Sequence, residues 1–137
     1  MTQSTQEDIA KLLLRLTLGI LIFFHGWAKV QSGLDGIEGM LAAHGWPVFM
    51  AWGVYVGEVI APILLIIGLF TRVAAAIVAI NMIVAVALAH MGQLTEFTKS
   101  GGWSLELQAM FLVAAIALML LGAGRYAVIG GRSSRWN

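Results

Sequence analysis

Four long apolar runs divide the chain, at residues 9–30, 48–70, 73–91 and 105–122. Each is close to the ~20 residues that carry a helix across ~30 Å of hydrocarbon. The runs are continuous and do not alternate with period two, which favours helices over a membrane barrel. Only those two architectures satisfy the backbone inside lipid. The pattern therefore predicts an all-α fold, a single transmembrane domain over residues 1–137 built as a four-helix bundle. Two polar stretches have length: residues 31–47, read as a loop with four glycines, and residues 92–102. Only Thr71 and Arg72 separate the second run from the third, so those helices are expected to be antiparallel neighbours. Residues 1–8 (MTQSTQED) have no basic stretch, and the first run reads as a retained helix, not a signal peptide.

Composition supports a lipid solvent. The chain is 60% hydrophobic and 11% charged, with a mean hydropathy of +0.90. A soluble domain carries about 25% charged residues, so too few polar side chains remain to cover a wet surface. The net charge of +1 gives no case for nucleic acid, which calls for a dense basic stripe. The chain has no cysteine, which excludes disulfides, thiolate metal sites and iron–sulfur clusters carried by this chain alone. The basic residues divide unevenly. Lys11, Arg15, Arg72, Arg125, Arg132 and Arg135 fall on the side of the termini, and Lys29 and Lys99 on the other. The positive-inside rule then places both termini in the cytoplasm and both loops outside.

Polar residues inside the runs need a reason, since an ionisable side chain at mid-membrane costs about 2.5–3.5 kcal/mol on insertion scales. At about 100° per residue, Arg15, His25 and Lys29 share one side of the first helix. Arg15 and Lys29 can instead snorkel to the interfaces, and His25 can bond a neighbouring helix. Glu58, mid-way along the second helix, either carries a proton or is paired with a base; His25, Lys29 and Arg15 are the candidate partners, with Tyr55 one turn earlier on the same face. Asn81 is central in the third helix and reads as a bond between helices. His90 ends that helix, about 180° around from Asn81. Glu106 and Gln108 open the fourth helix, where Glu106 also complements the helix dipole and Ser104 stands near the capping position. Together these residues predict a polar pocket opening outward, rimmed by Trp27, Trp46, Trp52 and Trp103, which equally suit an interfacial belt. Gly53 and Gly57 form a GxxxG for close helix packing, and Pro62 is expected to kink the second helix and free a carbonyl near Glu58.

No metal site is predicted, since neither HxxxH nor ExxH spacing occurs. Imidazole, lysine, tyrosine and carboxylate around an apolar slot suit a quinone headgroup or its protons, without singling that ligand out. The tripeptide HGW occurs twice, at His25–Trp27 inside the first run and at His44–Trp46 in the loop. The second copy leads into Pro47 at the start of a helix, and the two copies are not an internal repeat.

The residues Arg15, Gly19, His25, Gly26, Trp27 and Lys29, in the order R-x3-G-x5-HGWAK, resemble the first helix of the DoxX family. So do GWP at Gly45–Pro47 and GEVIAPILLIIGLFTR, with Glu58, Gly68, Thr71 and Arg72, ahead of a small-residue-rich third helix. The resemblance implies a small four-helix protein of the bacterial or archaeal cytoplasmic membrane with an accessory redox role near the quinone pool; it supplies no reaction, and the chain is read as not an enzyme on its own or, if redox-active, as a quinone-linked oxidoreductase subunit. It carries over Arg15, His25, Lys29 and Glu58 as a polar core. His90, Glu106 and Gln108 rest on this sequence alone. Without cysteine, any sulfur chemistry belongs to a partner or substrate. Three readings follow: a redox-linked protein binding a quinone or small amphiphile; a non-catalytic subunit, alone or as a homo-oligomer, docking redox partners; and, third, a small transporter or channel.

Overall fold

The computed structural model describes residues 2–128 and 135–137. Arg132, counted above in the charge bias, lies outside the described residues. Helix α1 (Gln3–Ser32) begins at Thr2, whose hydroxyl accepts from the Thr5 N–H, and ends at Gly33, where φ is +83°. A short helix follows, α2 (Asp35–Ala43). Helix α3 (Val48–Ile67) and helix α4 (Thr71–Gln93) come next, and α5 (Glu106–Leu121) closes the set. Three of these, α1, α3 and α4, are long and apolar enough to cross a membrane, and α5 is a shorter apolar helix of 16 residues. The protein is a multi-pass, all-helical membrane protein; among the described residues the only strand-like feature is an isolated bridge between Phe97 and Trp103.

The core draws on α1, α3, α4 and α5: Leu18 and Ile22 from α1, Ala61 and Leu65 from α3, Ala74, Ala75 and Val78 from α4, and Phe111, Ala115 and Leu118 from α5. The alanines let backbones approach closely, which replaces the missing hydrophobic drive between helices in lipid. Large apolar side chains such as Leu13, Phe24, Ile80, Val113 and Leu120 point outward, as contact with a bilayer requires. The link between α3 and α4 is Gly68–Phe70, not Thr71–Arg72. Gly68 (φ +75°) ends α3 in the left-handed conformation, and Phe70 (φ +48°) follows it, so the chain reverses within three residues.

Residues 31–47 are not the expected loop. Despite Gly36 and Gly39, α2 forms there, because Leu34 and Leu41 bury against Ala51 at the mouth of the bundle, and burial outweighs the helix cost of glycine. The second HGW closes this helix: His44 Nδ1–H donates to the Met40 carbonyl at 2.8 Å, and the Trp46 N–H returns to Leu41 O at 2.9 Å.

Two π-turns interrupt the long helices, at Val56–Ile60 in α3 and at Val86–His90 in α4. The first lies just ahead of Pro62, whose ring cannot serve the carbonyl of Glu58 four residues earlier.

The basic residues at the terminal end tie helix ends together. Arg15 is buried and donates to Leu65 O (2.7 Å), Ile66 O (3.4 Å), Ala123 O (2.6 Å) and Tyr126 O (2.8 Å). Leu65 and Ile66 belong to the last turn of α3, whose carbonyls have no partner within the helix. Arg72 likewise reaches Met119 O near the end of α5 at 2.9 Å. Asn137 Oδ1 accepts from both the N–H and the hydroxyl of Thr71 at 3.1 and 3.2 Å. Arg15 therefore neither snorkels nor joins Glu58.

Candidate functional site

At the opposite end of the bundle, Lys29 of α1 and Glu58 of α3 form an ion pair through Nζ and Oε2. Helix α1 comes this close because Gly26 is one turn earlier: a Cβ there would land on the carbonyl of Glu58. Gly19, two turns before Gly26, sits in the same way against Pro62 O and Ile66. The other carboxylate oxygen of Glu58 accepts from Asn81 Nδ2 of α4 at 3.1 Å. Gly57 provides the room, since a Cβ on it would meet the Asn81 side chain at 2.6 Å. Three helices thus converge on one buried carboxylate. The Tyr55 hydroxyl reaches the Lys29 carbonyl at 3.4 Å, a long bond that orients the ring beside the pair without touching the carboxylate.

The pair is the shared wall of two cavities. One, of about 100 Å³, is lined by His25, Lys29, Glu58, His90, Gln108 and Phe111, among others. The other, of about 260 Å³, is lined by Ile37, Met40, Lys29, Glu58, Asn81 and His90, among others. The first has room for about three waters at ~30 Å³ each. The second approaches the ~300 Å³ at which small-molecule sites begin. Ile37 and Met40 come from α2, so the helix that replaces the expected loop supplies part of the larger chamber.

The histidines differ in their surroundings. His25 Nδ1–H donates to Leu21 O at 2.9 Å, within its own helix and not to a neighbour. With Nδ1 so engaged, Nε2 is the ring nitrogen left to face the cavity. Its edge meets Phe111, with ring centroids 5.8 Å apart. His90 is 2.9 Å from Gln93 Oε1 through Nδ1. It lines the same chamber as Asn81, against the expectation of opposite faces. The π-turn at Val86–His90 inserts a residue and sets His90 back by about 100°. Gln108 Oε1 is buried without a hydrogen-bond partner among the described residues, and the residue lines the smaller cavity. Among the described residues, no group of three His, Asp or Glu side chains is placed to hold a metal ion.

Other predicted members fall elsewhere. Arg15 lies at the far end of the bundle. Glu106 is exposed in the first turn of α5 and lines neither cavity; the cap position is Leu105, without a side-chain bond, and not Ser104. A Cβ on Gly53 would meet nothing within 4 Å, whereas one on Gly57 would strike Asn81, so of the GxxxG it is Gly57 that brings elements together. None of the four tryptophans lines either cavity. Sequence reasoning passed over Gly19 and Gly26 as packing residues, although both stand in the first-helix motif and their seven-residue spacing puts them on one face.

The DoxX family model matches residues 10–91, a stretch holding Arg15, His25, Lys29, Tyr55, Glu58, Asn81 and His90. The chain belongs to the DoxX family. Among curated relatives, it is 37% identical over 79 residues to a Bacillus subtilis (strain 168) protein with the printed name "Putative oxidoreductase CatD". That match covers 58% of each chain, so it spans little more than half of the relative's length. A protein of Haemophilus influenzae, named only as uncharacterized, is 32% identical over 118 residues, or 84% of each chain. No solved structure gives a significant match. The DoxX match ends before α5, so Gln108, the residue with the free acceptor, lies outside it.

Proposed function

We propose that the protein is a redox-linked accessory of the membrane that binds a quinone, or a small amphiphile of similar build, beside Lys29, Glu58 and Asn81. The observation that carries this reading is the placement of the ion pair. A pair serving only to hold helices is best sealed in packed protein, whereas this one forms the wall of two cavities. The groups around it suit a ring bearing carbonyl or hydroxyl oxygens. Lys29 and Asn81 can donate, His25 Nε2 and Gln108 Oε1 can accept, and Glu58 and His90 can exchange protons. Electrons pass to and from a partner complex, so the chain is not an enzyme on its own. The oxidoreductase in the printed name of the Bacillus relative is consistent with this assignment.

The test is a titration of the purified protein with 2,3-dimethoxy-5-methyl-1,4-benzoquinone, a tailless ring, followed by tryptophan quenching. The account expects saturable binding that weakens at least about tenfold, or 1.4 kcal/mol, in both His25→Ala and Glu58→Gln. No saturable binding, or equal affinity in both variants, would defeat it. A second reading, a non-catalytic subunit, draws on the fact that both oxygens of Glu58 are already partnered, joining α1, α3 and α4. On that reading the same variants lower stability alone.

We also propose that α5 crosses the membrane as the fourth span. Its 16 residues reach ~24 Å, and local thinning of the bilayer at modest cost makes up the difference. Both termini then face the cytoplasm of a bacterial or archaeal cell, in its inner membrane. The cysteine-free chain allows a direct check. A Ser100→Cys variant is expected to react with an impermeant maleimide on intact cells, and a Ser4→Cys variant only after permeabilisation. The reverse pattern would invert the topology.

A further inference from the structure

A third cavity, of about 520 Å³, lies between α3 and α4 and is lined by Phe49, Trp52, Gly53, Ile77, Ile80 and Val84, among others. Phe49, Trp52 and Ile80 are exposed on the outer surface of the bundle, so this groove opens sideways into the bilayer. Its floor is kept low by glycine. A Cβ on Gly53 would meet nothing within 4 Å, and the atoms nearest to a Cβ on Gly57 are those of the Asn81 side chain. The groove adjoins the polar chamber, and Val54, Asn81 and Val84 form the wall that the two share. Asn81 therefore stands between lipid and the ion pair, with its amide nitrogen committed to Glu58.

We infer that the groove between α3 and α4 holds the aliphatic tail of an amphiphile whose head sits in the Lys29–Glu58 chamber, and that the ligand enters sideways from the bilayer past Asn81. This rests on the chamber being a ligand site, as proposed above, and adds the class of ligand and its route. The neighbouring cavities favour a single elongated occupant: a compact chamber of about 260 Å³ holding the ion pair lies beside an apolar groove of about 520 Å³. An ion or a free water-soluble metabolite has no use for the apolar part. A second protein helix would cover the groove without reaching the chamber behind Asn81.

The experiment uses the full chain in nanodiscs with two probes. One is a benzoquinone carrying a ten-carbon tail with a terminal diazirine; the other is the same tail as a simple alcohol. After irradiation the labelled residues are mapped by mass spectrometry. The account expects the quinone probe to label Ile77, Ile80 and Val84. A Gly53→Leu variant should lose at least nine-tenths of that label while binding the tailless ring as before. The open space at Gly53 allows this variant to fold, and an unchanged melting profile checks it. Label spread over Leu13, Val113 and Leu120 as with the alcohol would mean ordinary annular lipid only and would overturn the inference. So would a shift from dimer to monomer in Gly53→Leu, which would give the groove to a second copy. If the tailless ring never binds but the alcohol labels the groove in a Gly53-dependent way, the quinone head is wrong and the tail groove stands.

Discussion

A Gly26→Val chain is expected to lose its packed bundle. The added Cβ would fall on the backbone carbonyl of Glu58, and the nearest side-chain atom, Val59 Cγ2, is 2.9 Å away. A flexible side chain can move aside, but here the obstacle is helix backbone, held in place by the π-turn ahead of Pro62. Overpacking usually costs 1–3 kcal/mol; because α1 must lift away from α3 and take Lys29 from its partner, the loss here should exceed ~3 kcal/mol. Thermal melts in detergent and the abundance of the protein in membranes measure it. Gly53→Leu is the comparison, a larger side chain placed where nothing lies within 4 Å, and it should melt with the parent. A Gly26→Val protein that melts with the parent would show that α1 and α3 are not packed through this glycine.

Local pattern revealed much of this arrangement. Apolar runs mark the helices because lipid demands nearly uninterrupted hydrophobicity, and Glu58 stands out as a carboxylate in need of a base, with His25, Lys29 and Arg15 all open as its partner. What escaped depended on contacts between segments. Arg15 shares a face with Lys29 by helical arithmetic, yet it serves the open carbonyls at the end of α3, and nothing local to Arg15 says where α3 stops. Counting at 100° per residue puts His90 opposite Asn81 because it presumes an unbroken α-helix, and a π-turn has no clear signature in residues 86–90. The glycines misled in both directions. Gly53 and Gly57 fit a packing motif but only one is packed, whereas Gly26, inside HGW, makes the approach on which the site depends. In residues 31–47 glycine content argued for a loop, and burial of Leu34 and Leu41 against Ala51 decided for a helix.

The second large effect concerns the ion pair. A Lys29→Met protein leaves the carboxylate of Glu58 buried with Asn81 as its remaining partner. Removing one member of a buried pair costs about 3–5 kcal/mol. The Lys29 side chain is 32% exposed, so water offsets part of the loss and about 3 kcal/mol is expected in a detergent melt. Removing the charge from both members is different: a Lys29→Met/Glu58→Gln protein keeps an acceptor for Asn81 and buries no lone charge, so its stability should return to within ~1 kcal/mol of the parent.

That double variant separates a lock from a site. If the pair exists to hold helices, restoring stability restores everything the pair does. If the pair is the polar wall of a ligand chamber, a stable double variant still lacks the ammonium and carboxylate that face the ligand. The deciding measurement is therefore the affinity of the tailless benzoquinone for Lys29→Met/Glu58→Gln, read by tryptophan quenching on protein shown to melt with the parent. The account predicts a loss of at least about tenfold; parental affinity in a parentally stable double variant would contradict it.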